Sequence, residues 1–345
     1  MAFLEKSFAD TLTEEARLQL ASLFLEGDVT DDPASRRLFP AYLSYCEFLK
    51  RQQVVQEIWL GELKYKMLVT AFKQIHIEGN AKPPKLRQIL ADKRYQLVAK
   101  QYDAIIVSAL RYSLMIDLQT PGSISALQLD DNISFNGMIN SILPRTTYPL
   151  SRNDSRIPFN FTVASMVNVC KLEIKWTHTL HDHLRLSRSR QKDRNIRTLH
   201  IFIHIPALNM MLENNTSLFP TKVLAEVIGT TQLLFPRNDE ETKEYIGSLS
   251  QPEATDLYRN LYTDGVGDEE ILNFAKLEYF REQILELKEV VFDDPPFTWK
   301  RFFLGLRNPE KLLNFWIALV FIFVLTLVST ITGILQTIKA FHPVK

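Results

Sequence analysis

From Leu312 to Ile338 the chain carries no charged side chain, and no other feature of the sequence restricts its folding as strongly. The inner part, Phe315 to Leu335, reads FWIALVFIFVLTLVSTITGIL. At about 1.5 Å per helical residue this stretch covers the roughly 30 Å hydrocarbon core of a bilayer. Core helices of soluble proteins seldom run that far without an ionisable group, so one transmembrane helix is expected over 312–338. Phe315 and Trp316 stand where an interfacial aromatic belt belongs, and Lys311 and Lys339 can place their ammonium groups among headgroups. Within the span, Ser329 and Gly333 form a small-xxx-small pair through which two spans can close-pack into a homodimer.

The flanks set the expected orientation. The N-terminal run MAFLEKSFADTLTEEARLQL has early acidic residues and no uninterrupted apolar stretch, so it does not read as a secretory signal. Lys300, Arg301, Arg307 and Lys311 precede the span, whereas Lys339, His342 and Lys345 follow it, and this bias keeps the N-terminal part cytosolic. A tail anchor in the endoplasmic reticulum or another intracellular membrane is the arrangement expected. Sequons beginning at Asn132, Asn153, Asn160, Asn214 and Asn215 are then expected to go unused. Cys46 and Cys170 lie far apart in hydrophobic stretches, which fits reduced thiols in a reducing compartment. Just before the span, Phe297, Trp299, Phe302, Phe303 and Leu306 alternate with Lys300, Arg301 and Arg307. That composition suits either a short helix in the headgroup plane or a linker packed on the domain.

The rest of the 345 residues is expected to be mainly α: a multi-helix soluble domain with a small β-hairpin. Eleven glycines are under half of the usual share of about 7%, which disfavours tight hairpins and phosphate-cradling loops. Forty basic and forty acidic side chains cancel, so the chain as a whole exerts no pull on nucleic acid or an anionic surface. Helices are expected over 13–25, over 41–76 as one long helix or two, and over 83–118, the last with Leu90, Leu97, Ile105 and Tyr112 on one face. Residues 121–160 read as a loop or junction between an N-terminal helical region, 1–120, and a second one, 161–292; the GMINSIL segment inside it reads as a helix. In the second region 161–184 reads as helix, HLRLS and TLHIFIHI as the strands of a hairpin, and 219–234, 237–248 and 268–292 as helices. A juxtamembrane segment, 293–311, and a short tail, 339–345, flank the span.

Two clusters invite chemistry. His178, His181, His183, His200 and His204 crowd one region, and His181, Asp182 and His183 are the candidate metal ligands of a tethered hydrolase. No HExxH and no cysteine partner accompanies them, so no metal or other cofactor is assigned. Arg185, Arg188, Arg190, Lys192, Arg194 and Arg197 are opposed only by Asp193. Such a loop either is solvated or contacts phosphate, of RNA or of lipid headgroups. Aromatic interleaving for base stacking is lacking, which disfavours nucleic acid. The chain has no GxxxxGK[ST], no GxGxxG after a strand and no GxSxG elbow, so nothing points to nucleotide binding or serine hydrolysis.

Several segments resemble a family of uncharacterised single-pass membrane proteins of filamentous fungi. They are TVASMVNVCKLEIKWTHTLHDHLRL at Thr162 to Leu186, the LHIFIHIPAL that follows, TTQLLFP at Thr230 to Pro236, and the FW that opens the span. The resemblance covers the second half of the chain, and Trp176, Asp182 and His183 match its most distinctive segment. His178 stands where such proteins more often carry an aspartate. The resemblance implies a fungal origin, a helical cytosolic domain and a C-terminal anchor, and brings no catalytic residue with it. A non-enzymatic, membrane-tethered interaction or scaffold protein, with a protein partner and the lipid bilayer as its contacts, is the expectation that follows.

Overall fold

The computed structural model describes residues 2–6, 12–25, 64–93, 97–115, 129–146, 161–191, 194–213, 218–249, 257–258, 261, 276–293 and 309–341. Among these residues the protein is mainly helical, with one small three-stranded sheet. Helix α1 (Glu14–Leu25) opens at Thr13, whose hydroxyl accepts the Ala16 N–H at 3.3 Å. Helix α2 (Tyr65–Ile77) buries Tyr65, Leu68, Val69, Phe72 and Ile75, a helical stripe. That stripe packs on α4 (Ala99–Leu114), whose Ile105, Ile106, Ala109 and Leu110 are buried in turn. Between them, α3 (Pro83–Asp92) starts with two prolines, which need no backbone donor there.

The single helix expected over 83–118 is therefore two. Helix α3 stops at Lys93, and α4 restarts after Val98, whose N–H donates to the Gln101 side chain at 2.9 Å. The periodicity carried through because Leu90, Ile105 and Tyr112 are all buried, with no demand that one helix hold them. Helix α5 (Phe135–Ile142), the expected GMINSIL helix, is capped by Ser134, which accepts the Gly137 N–H at 3.2 Å. Its first turn rests on the turn after α2, with Asn136 N–H donating to the Gly79 carbonyl at 3.0 Å. A Cβ at position 79 would come within 2.8 Å of the Asn136 side-chain oxygen, so a substitution there would have to displace that side chain.

The second half departs further from expectation. Residues 161–184 are not one helix: α6 (Val163–Asn168) is short, and Lys171 takes a left-handed φ of 56°. There the Leu172 N–H turns back to the Met166 carbonyl at 3.2 Å and ends the helix. Strand β1 (Glu173–Thr177) follows, exposing Glu173 and Lys175 and turning Ile174 and Trp176 inward. The expected hairpin is present, but its strands run through most of the basic stretch expected as a loop, over 186–191 and 194–202, and the second strand ends before the last residues of TLHIFIHI. Strand β2 (Leu186–Gln191) runs antiparallel to β3 (Arg194–Phe202), and β3 also pairs in parallel with β1, giving the order β1-β3-β2.

Helices α7 (Ile205–Glu213), α8 (Thr221–Leu234) and α9 (Glu240–Ser248) come next; Asp239 caps α9 by accepting the Thr242 N–H at 3.1 Å. Of the helix expected over 268–292, residues 268–275 lie outside the described residues, and α10 begins only at Arg281 (Arg281–Lys288), closing in a π turn, Glu289–Asp293. The delay has a cause: the N–H groups of Glu278, Tyr279 and Phe280 donate to the carboxylate of Glu226 on α8, at 2.5, 2.8 and 3.1 Å. The buried hydrophobics form one cluster running from Leu12 to Val291. The 41–63 part of the helical stretch expected over 41–76, Cys46 and the juxtamembrane aromatics at 297–306 lie outside the described residues.

Helix α11 (Pro309–Phe341) stands apart from this core. Its segment Ile317–Gln336 has a mean hydropathy of 2.6 and none of it is buried. It is an unburied apolar helix of the length and composition of a single-pass membrane anchor.

Candidate functional site

The histidines are brought near one another but are not aimed at one point. Among the described residues no group of three or more His, Cys, Asp or Glu side chains is placed to hold a metal ion. His178, just past β1, and His204, just past β3, meet edge to edge, Nδ1 to Nε2 at 2.8 Å. His200 on β3 instead reaches the Ser187 hydroxyl on β2 at 3.0 Å. Burial, then the Arg185 charge, lower the pKa of His200.

His181, Asp182 and His183 diverge because they sit on a 3-10 turn, Leu180–Asp182, where successive side chains point about a third of a turn apart. His183 points inward and is fully buried. Its Nδ1 accepts the Phe202 N–H at 3.3 Å, so Nε2 carries the proton and donates to the Thr230 hydroxyl at 2.9 Å. The Thr230 hydroxyl in turn donates to the Glu226 backbone carbonyl at 2.6 Å. With both ring nitrogens engaged, His183 has no lone pair to offer a metal. Burial pushes its pKa down to about 3, and the ring stays neutral. Asp182 is likewise taken: it accepts from the Thr179 hydroxyl at 2.9 Å and pairs with Arg185 at 2.9 Å, while His181 approaches it at 3.7 Å.

The distinctive segments of the sequence meet here. Trp176 stacks on Phe235 with ring centroids 5.8 Å apart, and His183 bonds Thr230 and the backbone of Phe202. Trp176 and His183 thus tie the sheet and its following turn to α8 and its C-cap, whereas Asp182 bonds within its own turn to Thr179 and Arg185.

Cationic residues collect at the far end of the hairpin. In the β2–β3 register Leu186 faces Leu199, and two residues on Arg188 faces Arg197, with Arg190 opposite Asn195 beyond. Leu199 is fully buried whereas Arg188 is exposed, so one sheet face changes from apolar to cationic in a single step. Arg194 faces Gln191 at the end of the ladder, and Lys192 lies outside the described residues.

The apolar helix handles its threonine hydroxyls internally. Thr326, Thr330 and Thr332 donate to the carbonyls of Ile322, Thr326 and Val328, each four residues back, at 2.7 to 2.8 Å. Ser329 and Gly333 lie one turn apart on it, and a side chain added at Gly333 would meet nothing within 4 Å. For Lys311, Phe315, Trp316 and Lys339 the structure describes the helical backbone alone.

No protein family, curated protein or solved structure matches the chain.

Proposed function

We propose that this chain is a membrane-tethered interaction protein whose globular body lies in the cytosol and is held at an intracellular membrane, such as the endoplasmic reticulum. One observation carries the reading: Ile317–Gln336 is a helix of mean hydropathy 2.6 with no buried residue, next to a body that closes its own core. Such a segment is costly in water and favourable in lipid. An anchor raises the effective concentration of a binding surface for a protein partner and requires no catalytic group. The cations at Lys300, Arg301, Arg307 and Lys311 support the cytosolic side.

The test compares the full chain, bearing an N-terminal fluorescent tag, with the same chain lacking residues 309–345. The full chain is expected to stay with membranes through alkaline carbonate extraction, with its tag open to protease added outside sealed vesicles. The shortened chain is expected in the supernatant. Extraction of the full chain by carbonate, or a tag shielded from protease, would overturn the reading.

A further inference from the structure

We infer that the outer edge of β1 is a docking surface for a second copy of this chain, whose own β1 pairs with it antiparallel about a two-fold axis. The product is one continuous sheet of order β2-β3-β1-β1-β3-β2. The inference names a partner for the tethered interaction protein and rests on that reading for the crowding of chains in one bilayer. The Thr177 carbonyl accepts the Ile203 N–H at 3.1 Å, so Glu173, Lys175 and Thr177 turn their backbone groups toward β3. Ile174 and Trp176 therefore turn theirs to the opposite edge, where these groups have no hydrogen bond among the described residues. Their side chains lie on the core side yet are only half-buried, because β1 is the last strand of the sheet there. On the other face Glu173 and Lys175 are exposed, and neither forms an ion pair among the described residues.

The order of charges along β1 selects both the occupant and the register. With Ile174 of one copy opposite Ile174 of the other, Glu173 of each copy faces Lys175 of the other, and Leu172 faces Trp176. Glu173 and Lys175 then form non-hydrogen-bonded pairs, the closer of the two kinds, with Cα atoms about 4.5 Å apart. A slip of two residues sets Lys175 against Lys175 in one direction and Glu173 against Glu173 in the other, and both are repulsive. In the favoured register the two Ile174 residues exchange a pair of backbone bonds. The Trp176 N–H of each copy reaches the Leu172 carbonyl of the other, whereas the Leu172 N–H is already given to Met166. Such a contact is small and weak between free molecules, but two chains held in one bilayer meet at a high effective concentration.

The experiment uses the full chain reconstituted into phosphatidylcholine vesicles as a mixture of two forms, one with an N-terminal donor fluorophore and one with an acceptor. Flotation comes first: a chain that fails to float with the vesicles refutes the tether itself. For a chain that floats, energy transfer is expected to rise with its density in the membrane and to saturate. Glu173→Lys and Lys175→Glu each set like charges together on both sides of the axis, and each is expected to raise the half-saturation density about tenfold. Glu173→Lys combined with Lys175→Glu restores opposite charges in the same register. That double variant is expected to return to within about threefold of the original chain, which separates docking from a folding defect. The register is read by disulfide trapping in chains whose Cys46 and Cys170 are replaced by alanine. Glu173→Cys mixed with Lys175→Cys is expected to crosslink about fivefold faster than either variant alone, since only the mixture brings two thiols directly opposite each other. Transfer no greater than that of unassociated chains would overturn the inference and leave the tether standing. Transfer indifferent to both single charge reversals, as for chains joined through Ser329 and Gly333, would do the same. So would a double variant no better than the single ones, or a cysteine variant that crosslinks alone as fast as the mixture.

Discussion

Two apolar helices of this chain, α8 and the exposed segment of α11, differ in what they do with polar groups. Helix α8 is lined by Val223, Leu224, Val227, Ile228 and Leu234, yet carries a carboxylate, Glu226, that is only 4% exposed. It tolerates that acid because three backbone N–H groups from residues 278–280 surround it. The segment from Ile317 to Gln336 has no such neighbour among the described residues; it contains no ionisable side chain, and its threonine hydroxyls fold back on their own helix. A helix enclosed by protein can be solvated by protein, whereas one facing lipid must be self-sufficient.

Substitutions on the two helices sharpen that contrast. The largest effect is expected from Glu226→Ala, which strands three donors: a loss of about 3–5 kcal/mol, read as a fall in the urea midpoint of the body. A gain or no change would mean that the segment before α10 is held by something else. Next, Leu325→Asp in the exposed helix is expected to cost about 3 kcal/mol of insertion, roughly a hundredfold, measured as the carbonate-resistant fraction. An acid tolerated there would indicate protein or water around the helix.

A pH effect comes third. The folded chain keeps the His183 ring neutral down to about pH 3, whereas the unfolded chain protonates it near the ordinary value of about 6.5. Its contribution to stability is therefore complete above about pH 6.5 and falls by about 1.4 kcal/mol per pH unit below that, until the folded pKa is reached. At pH 5 the loss is about 2 kcal/mol; His183→Gln is expected to flatten the dependence of the denaturation midpoint between pH 7 and pH 5. The smallest change is Thr330→Val, which removes a hydroxyl bonded only to its own helix; a shift of a few tenths of a kcal/mol in the same carbonate assay is expected.

The contrast also explains what the sequence made legible. The apolar helix could be read directly, because its character is carried by every residue of one continuous stretch. The hairpin could be read because the alternation in TLHIFIHI has its partner a few residues upstream. Strand β1 was hidden: EIKWT alternates over too few residues, and only the left-handed Lys171 separates it from the helical run before it. The site residues divide the same way. The arginines of the hairpin could be found by composition, but not that Arg188 and Arg197 would face one another. The chain spacing of His181, Asp182 and His183 invited a metal reading, whereas His183 depends on Thr230, a partner distant in sequence. Glu226 gave no signal at all, since one acid in an apolar helix looks like an exposed position until its three distant donors are seen.

The order of the sheet has a consequence for assembly of the body. The partners that β2 offers β3 lie closer along the chain than those offered by β1, so loop closure favours the hairpin first. Until β1 arrives, the second edge of β3, which runs through the apolar residues Leu199, Ile201 and Phe202, is a bare row of donors and acceptors. A strand from another molecule can compete for that row during this interval, so crowding among newly made chains is most hazardous before β1 has docked.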